Sequence, residues 1–351
     1  MDRKITRDSN MELLRIVSML LIMVLHADFA SLSIPTIIEC DNSPVISFLR
    51  FLVESLSVVA VNVFVLLSGW YGIKPSRKKF CEFLFQAVFL ILAIYLVFSL
   101  FRGIPYHDFG DWLKIIFLQQ YWFVQSYIIL YLFSPVLNTF VQNTNKHSFS
   151  LVLLSLFLVQ FAFGYLPFSS NFGWYQIGYS PLTFFFLYLL ARFIRYYIKV
   201  IHSFIFYFSI WLFCSCISAV IGYIATLQGY GSYSVLYVYG YTSPFSIIGA
   251  IMFLIAFSRL SINSRFVNWV AKSSFAVYIV HCHECIFVPI YCYTIGIWVA
   301  SEVYFVFVIK TGVLITSIYI IAIFIDKIRI VLWDIINNGC LRYFFSKSLN
   351  V

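Results

Sequence analysis

Arg15 and His26 are the two residues whose types and spacing point most directly to chemistry. Both lie in residues 9–30, a stretch apolar enough to enter a bilayer. They are eleven positions apart, which is three helical turns plus roughly 20°, so one helical face would carry both side chains about 16 Å apart along the axis. Ionisable residues inside a membrane helix are costly and usually face a polar cavity or a functional site.

Each of the two also has a simpler structural interpretation. Arg15 lies near the basic end of the stretch, where its long side chain could extend to the membrane surface. His26 lies about 24 Å along a helix that starts at Asn10, so its ring could reach only the opposite surface. We therefore expect His26 to be functional. Asp28, two residues further on and off the His26 face, is expected at the outer interface.

Together, the two residue types suggest a ligand. Histidine is the side chain best matched to proton transfer near neutral pH, and arginine offers a permanent charge and a planar fork for phosphate. An arginine at one end of a helix and a histidine deeper in suit a ligand with an anionic head and a long arm. Coenzyme A thioesters have that shape.

The composition indicates a polytopic membrane protein of the all-α class. Of the 351 residues, 62% are hydrophobic and 11% are charged. Residues 1–326 are predicted to form one membrane domain of about ten transmembrane helices, and 327–351 a basic amphipathic tail on the cytoplasmic leaflet. The predicted spans are 10–30, 44–70, 80–101, 119–140, 149–166, 180–199, 203–226, 242–259, 273–293 and 303–326, and 106–118 is predicted to be an amphipathic surface helix.

The distribution of lysine and arginine predicts the orientation. With the N-terminus inside, eighteen of the 23 basic residues fall in inner segments, and only Arg102 and Lys114 fall in outer loops. Because cytoplasmic loops carry an excess of Lys and Arg, both termini are predicted to be cytoplasmic. The same asymmetry explains the net charge of +9 without nucleic acid as a partner.

Three further charged residues in or near the spans have expected partners. Arg50 and Glu54 are spaced i, i+4 on one helix and are expected to neutralise each other. Lys310 lies about two turns into the last span, where Glu302 or Glu284 could be its partner.

The sequence HCHEC, residues 281–285, is a second polar constellation. On a continuous helix His281, Glu284 and Cys285 would share a face, and His283 would point elsewhere. Zinc is conceivable, but such ligand spacing arises readily by chance on one helix. We expect a polar cavity lining or an internal hydrogen-bond network and no metal. Cysteines in or near the spans are interpreted as small apolar residues, not as disulfides.

Polar and aromatic residues in the spans and outer loops suggest where a second substrate would lie. Asn62, Trp122, Gln125 and Tyr127 are candidate cavity-lining groups, with core packing as the equal alternative. The loops at 165–180 and 227–243 are rich in Gly, Ser and Tyr and carry no charge. They form either an interfacial aromatic belt or a docking surface for a sugar or polyprenyl-linked sugar.

Several segments together resemble the acyltransferase-3 family of bacterial membrane acyltransferases. ELLRIVSMLLIMVLH, residues 12–26, resembles the family's first helix, in which an Arg or Lys is followed after ten residues by His. Further resemblances follow in order: VNVFVLLSGWY at 61–71 to an F-x-x-SG helix ending, WFVQSYIILYLFSPVLN at 122–138 to a W-x-x-x-x-Y…P-x-L-N helix, GYSPLTFFFLYLLARFIR at 178–195 to the sixth helix, and SSFAVYIVH at 273–281 to a late Y-x-x-H helix. The resemblance spans almost the whole chain.

The resemblance implies transfer of an acyl group, usually acetyl, from cytoplasmic acyl-CoA to a carbohydrate hydroxyl at the membrane. His26 takes the place of the catalytic histidine and Arg15 that of its basic partner. The loop residues Arg77, Lys78 and Lys79 stand near the family's R-x-x-R pair without reproducing it. They are the further candidates for binding the CoA phosphates. The expected acceptor-binding residues are Asn62, Trp122, Gln125, Tyr127 and His281.

The expectation is thus an O-acyltransferase of the cell membrane that acts on a surface polysaccharide or its lipid-linked precursor. Acetyl-CoA would be the donor substrate, and no tightly bound cofactor is expected. The runner-up is a transporter or flippase for a lipid-linked sugar, which would explain the polar residues in the spans but not the Arg-to-His spacing. A receptor or scaffold without chemistry is the third class.

Overall fold

The computed structural model of the chain describes residues 8–104, 107–164 and 178–337. All regular structure in these ranges is helical, which confirms the all-α prediction. The α-helices, numbered in chain order, are α1 Ser9–Ala27, α2 Phe29–Leu32, α3 Ile37–Asn42, α4 Pro44–Tyr71, α5 Arg77–Phe101, α6 Phe109–Ile116, α7 Trp122–Asn143, α8 Lys146–Gly164, α9 Pro181–Tyr197, α10 Phe204–Leu227, α11 Gly231–Tyr237, α12 Pro244–Ser258, α13 Arg265–Ala271, α14 Ser274–His281, α15 Tyr293–Ser301 and α16 Tyr304–Ile336, with a π-helical turn at Phe287–Cys292 before α15.

Seven helical segments among the described residues are long and apolar enough to cross a membrane. They are Ser9–Leu32, Pro44–Tyr71, Arg77–Phe101, Trp122–Asn143, Lys146–Phe163, Phe204–Leu227 and Tyr304–Ile336. The predicted sixth and eighth spans correspond to α9 and α12, which are 17 and 15 residues long. The count of ten spans and the orientation stay predictions.

The predicted ninth span, 273–293, is not one continuous helix. α14 ends at His281, and turns separate it from the π-helical segment. At the break the Cys285 N–H donates to the His283 ring nitrogen Nδ1 at 3.2 Å and not to a carbonyl of the preceding turn. Pro289 further opposes a continuous α-helix, because it has no N–H to donate to residue 285. The face predicted for His281, Glu284 and Cys285 therefore does not form, and that prediction was wrong.

The chain divides into two compact units, each with its own packing. The first unit comprises Met1–Pro75 and Leu118–Ala271, and α4 is its central helix. α4 packs against α1, α9, α10 and α12, and 72% of its most apolar window is buried, more than in any other of the seven segments. Near its end, a Cβ on Gly69 would collide with the carbonyl oxygen of Tyr188. The Ser-Gly pair of the 61–71 motif thus permits close contact between α4 and α9.

The second unit comprises Ser76–Phe117 and Lys272–Val351, and α5 packs against α14 and α16 within it. A buried network joins two of these helices, because Gln86 Nε2 and Arg329 Nε each donate to Asp326 Oδ1 at 2.9 Å. Lys310 pairs with Glu302, one of its two predicted partners. α16 continues to Ile336, ten residues past the boundary at 326 between the two predicted domains.

The surface helix predicted at 106–118 is present as α6. Its first turn is closed by a capping box, in which Asp108 Oδ1 accepts from the Asp111 N–H at 2.8 Å and Asp111 reaches back to the Asp108 N–H. The predicted loop 165–180 lies mostly outside the described residues. In the other predicted loop, 227–243, the short helix α11 forms.

The predicted orientation can be tested by labelling single cysteines introduced into a cysteine-free variant. Ser76, just before α5, and Ser232, in α11, are both exposed. Ser76→Cys should resist a membrane-impermeant maleimide in intact cells, because the Lys and Arg excess puts it inside. Ser232→Cys should be labelled, which controls for reactivity. Labelling of Ser76→Cys from outside would overturn the orientation.

Candidate active site

α1 carries both residues of the first predicted constellation. The helix begins after Asp8 and ends at Ala27, so Arg15 lies in its second turn and His26 in its last. Among the α1 residues between them, Met19, Ile22 and Met23 are buried. Both residues therefore lie on one continuous helix, as the spacing predicted, and the helix sets the separation of their backbone positions.

Arg15 lies in a polar environment at its end of the helix. Its Nη1 donates to Glu12 Oε2 at 2.6 Å, and Tyr127 lies within electrostatic range of it. The Tyr127 hydroxyl is 3.3 Å from Ser68 Oγ on α4, beside the Gly69 contact. Arg15 is only partly buried, with 29% of its side chain exposed. The Arg15 guanidinium is thus held by the Glu12 carboxylate and remains partly accessible to a ligand.

His26 is positioned by the way α1 ends. The helix stops at Ala27, and α2 follows after one residue, so that Ser31 Oγ donates to the His26 carbonyl at 2.6 Å. This bond fixes the backbone of the last turn, where the imidazole is partly buried. The backbone of residue 26 is therefore held by a contact that does not involve the imidazole.

Directly after His26, the chain enters a buried charged cluster, in which Asp28 is paired with Arg50. Arg50 Nε donates to Asp28 Oδ1 at 2.7 Å, and Nη2 donates to the Ser33 carbonyl. Asp28 is buried at the end of α1, next to the guanidinium of α4. Its predicted place at the outer interface stays a prediction.

Glu39 contacts the same arginine from the side of α3. Its Oε1 is 3.8 Å from Arg50 Nη1. Partial burial of Glu39 favours its neutral form, but hydrogen bonds from the Thr36 N–H and hydroxyl and the charge of Arg50 outweigh that effect and lower its pKa. Glu39 is therefore ionised at neutral pH.

Glu54 is not the ion-pair partner of Arg50, and the predicted i, i+4 pair was wrong in that respect. The guanidinium is instead used by Asp28, Ser33 and Glu39. The Phe29 N–H donates to Glu54, while Glu54 Oε2 is buried and has no hydrogen-bond partner among the described residues. Arg50 and Glu54 thus each contact residues at the end of α1, Asp28 and Phe29, instead of forming an ion pair with each other.

An aromatic cluster brings together two of the predicted acceptor-binding residues. Asn62 Nδ2 donates to the Tyr241 carbonyl at 2.9 Å, and the Trp122 ring stacks on Tyr241 with centroids 5.8 Å apart. Tyr179 completes the cluster, 4.3 Å from Trp122 and 5.2 Å from Tyr241 between ring centroids. We call Trp122, Tyr179 and Tyr241 the aromatic trio.

Further rings continue from the trio toward Arg15. Phe184 packs against Trp122 and against Phe123, and Phe123 stacks on Tyr127 at 6.2 Å between centroids. The predicted residues Trp122 and Tyr127 are therefore the two ends of one aromatic wall along α7. Gln125 is partly buried on the same helix.

The comparison with known families agrees with this geometry. The family model for the acyltransferase domain matches residues 8–325. The chain belongs to the acyltransferase-3 family. No curated protein and no solved structure matches the chain.

As a member of the acyltransferase-3 family, the chain is an acyltransferase with multiple membrane spans. The described site matches the helices that carry the family's motifs: α1 supplies Arg15 and His26, α4 ends in the Ser-Gly pair, and α7 supplies Trp122 and Tyr127. The first unit thus contains these three motifs.

The remaining predicted residues lie in the second unit. Arg77, Lys78 and Lys79 are exposed in the first turn of α5. His281, at the end of α14, is fully buried, and its ring packs edge-on against Phe287 and Tyr291 with centroids 5.9 and 5.6 Å away. Their roles in donor and acceptor binding stay predictions.

The sequence pointed to the two loops that contain Tyr179 and Tyr241 as a docking surface without singling out these tyrosines, and it did not identify Asp28 or Glu54 as candidates. The two tyrosines come from loops that differ from their neighbours only in composition. Asp28 and Glu54 were interpreted from local spacing, whereas their environment depends on contacts between α1, α3 and α4. One signal was present: five charged residues lie between positions 28 and 54, in a chain with few charges outside its basic segments.

Proposed function

We propose that this acyltransferase is an O-acetyltransferase of the cell membrane. It moves an acetyl group from cytoplasmic acetyl-CoA to a hydroxyl of a surface polysaccharide or its lipid-linked precursor. The observation that carries the proposal is the placement of Arg15 and His26 on one helix, with an aromatic wall beside Arg15 and a polar cluster beyond His26. The charge of Arg15 beside the aromatic wall suits a long anionic donor, and the polar cluster beyond His26 suits a polar acceptor.

The proposed reaction is a direct transfer. The donor lies with its phosphates toward Arg15, and its thioester lies near His26. His26 removes the proton from the acceptor hydroxyl, whose oxygen then bonds to the thioester carbonyl carbon. The carbon–sulfur bond breaks, and the proton passes from His26 to the departing CoA sulfur. Holding both substrates against one rigid helix lowers the entropic part of the barrier.

The test of this proposal in cells uses a strain lacking the gene. Mass spectrometry of its surface glycan should show the loss of acetyl groups, and the wild-type chain should restore them. Restoration by the His26→Ala variant, or an unchanged glycan in the deletion strain, would contradict the proposal.

Replacing Arg77, Lys78 and Lys79 together with Gln should raise the KM for acetyl-CoA more than it lowers kcat. The three side chains are exposed and cationic, and loss of charge contacts to the CoA phosphates weakens ground-state and transition-state binding alike. Initial rates against acetyl-CoA concentration in inverted vesicles provide the measurement.

The control is Lys199→Gln, which removes an exposed positive charge from another predicted inner segment. If the loop residues serve only the positive-inside bias, both variants will leave the KM for acetyl-CoA unchanged. That result, in a triple variant inserted as well as the wild type, would exclude donor binding by the loop.

A further inference from the structure

Carboxylates outnumber cations in the cluster beyond His26. Asp28, Glu54 and Glu39 all lie within electrostatic range of Arg50, which is the single guanidinium of the cluster among the described residues. Asp28 and Glu54 are each only 6% exposed, whereas Glu39 is largely at the surface. Arg50 is paired with Asp28, so the cluster has no cation left for an anionic ligand.

One oxygen of each buried carboxylate is left over. Arg50 binds Asp28 Oδ1, and the Phe29 N–H binds Glu54. Asp28 Oδ2 and Glu54 Oε2 are buried and have no hydrogen-bond partner in the part of the chain that the structure describes. Leaving a buried acceptor unsatisfied is costly, more so when it is charged. Two such oxygens, on carboxylates that interact with each other and with Arg50, indicate a place where a ligand supplies the donors.

The aromatic trio borders this place. Asn62, about two turns after Glu54 on α4, donates to the Tyr241 carbonyl at 2.9 Å. The Tyr179 phenol lies near Glu54 and hydrogen bonds with Tyr241. Tyr179 is also 47% exposed, so the trio opens to the surface of its unit. Carboxylate oxygens bind hydroxyl donors, and aromatic faces pack against apolar C–H faces. A sugar ring offers both.

We propose that Asp28 and Glu54 bind hydroxyl groups of the acceptor and select a sugar unit without negative charge. The inference rests on the proposed function and names the acceptor class of the same site. The two orphan oxygens accept from hydroxyls of the sugar, and the aromatic trio packs against its ring. A uronic acid or a phosphorylated sugar would bring a negative charge to a cluster whose single guanidinium is already paired with Asp28, and an unpaired buried charge is costly.

The experiment uses the full chain in vesicles with labelled acetyl-CoA and two acceptors of equal length, an oligosaccharide of neutral hexoses and one of hexuronic acids. The wild type should acetylate the neutral acceptor with a KM at least about tenfold lower, the ratio that one lost charge-assisted hydrogen bond gives. Glu54→Leu should raise the KM for the neutral acceptor by roughly tenfold for the same reason. The KM for acetyl-CoA should not change.

Tyr179→Leu is a second test variant. Tyr179 is half exposed, so its replacement does not disturb a buried position as Glu54→Leu does. It too should raise the KM for the neutral acceptor. Its matched control is Tyr230→Leu, which removes a tyrosine that is 58% exposed and packs on Tyr233, outside the trio. This control should behave as the wild type.

The outcomes separate the inference from the proposed function. Wild-type transfer to both acceptors with equal KM, or an unchanged acceptor KM in Glu54→Leu and Tyr179→Leu, would overturn the inference and leave the acetyltransferase intact. If the wild type transfers acetyl to neither acceptor nor to native membrane glycan, the proposed function fails and the inference fails with it.

Discussion

Replacing His26 with alanine is expected to abolish acetyl transfer while the protein remains inserted and folded. Losing a positioned general base typically costs about 10²–10⁴-fold in rate. Alanine is cheaper than histidine to insert into a membrane helix, and the backbone contact from Ser31 to residue 26 does not require the imidazole. The measurement is transfer of labelled acetyl to membrane glycan at equal membrane abundance.

Two further histidine variants serve as comparisons. His147→Ala removes an exposed histidine at the start of α8 and should have no effect. His281→Ala should be milder than His26→Ala if His281 only lines a cavity. Near wild-type acetylation by His26→Ala would show that the proposed mechanism is wrong, and His281 would become the next candidate base.

Arg15 belongs to the same test, because the mechanism assigns it to the donor. Arg15→Ala should impair transfer, and Arg15→Lys should retain part of it, since the charge survives and the planar fork does not. Arg15 also neutralises Glu12, so Glu12→Gln is combined with Arg15→Ala. If the double variant recovers activity, Arg15 serves Glu12 and not the donor.

Replacing Arg50 with methionine is expected to destabilise the protein more than any other single change considered. The guanidinium is buried against Asp28 and near Glu54. Removing one partner of a buried ion pair leaves an uncompensated charge and lowers the free energy of unfolding by about 3–5 kcal/mol. Thermal unfolding of the detergent-solubilised protein gives the comparison with the wild type.

The matched control is Arg102→Met, which removes an exposed arginine at the end of α5 and should change stability little. Adding Asp28→Asn to Arg50→Met should recover much of the loss, because the buried charge disappears with its partner. An Arg50→Met variant as stable as Arg102→Met would mean that the cluster does not depend on the guanidinium.

The sequence predicted those parts of the fold that depend on local composition and period. The spacing of Arg15 and His26 on one helix followed from helical geometry, and the all-α class followed from apolar run lengths. Pro289 was the local signal against a continuous ninth span. The span was predicted from hydropathy, which depends on apolar content and does not register the N–H that Pro289 lacks.

The parts of the site that sequence analysis missed depend on contacts between distant segments. The i, i+4 rule correctly placed Arg50 and Glu54 on one helix face, but it could not show that the end of α1 brings Asp28 to the same guanidinium. The contact of Asn62 with Tyr241 joins residues 179 positions apart. Spacing within one element carries no information on such a pair.

The most direct measurement of the central claim uses purified protein reconstituted into sealed vesicles that contain labelled acetyl-CoA, with the surface glycan or its lipid-linked precursor supplied from outside. The account predicts label in ester linkage on the glycan with the wild type and none with His26→Ala. Glycan that stays unlabelled with folded and correctly inserted wild type would contradict the account. Equal labelling by His26→Ala would also contradict it.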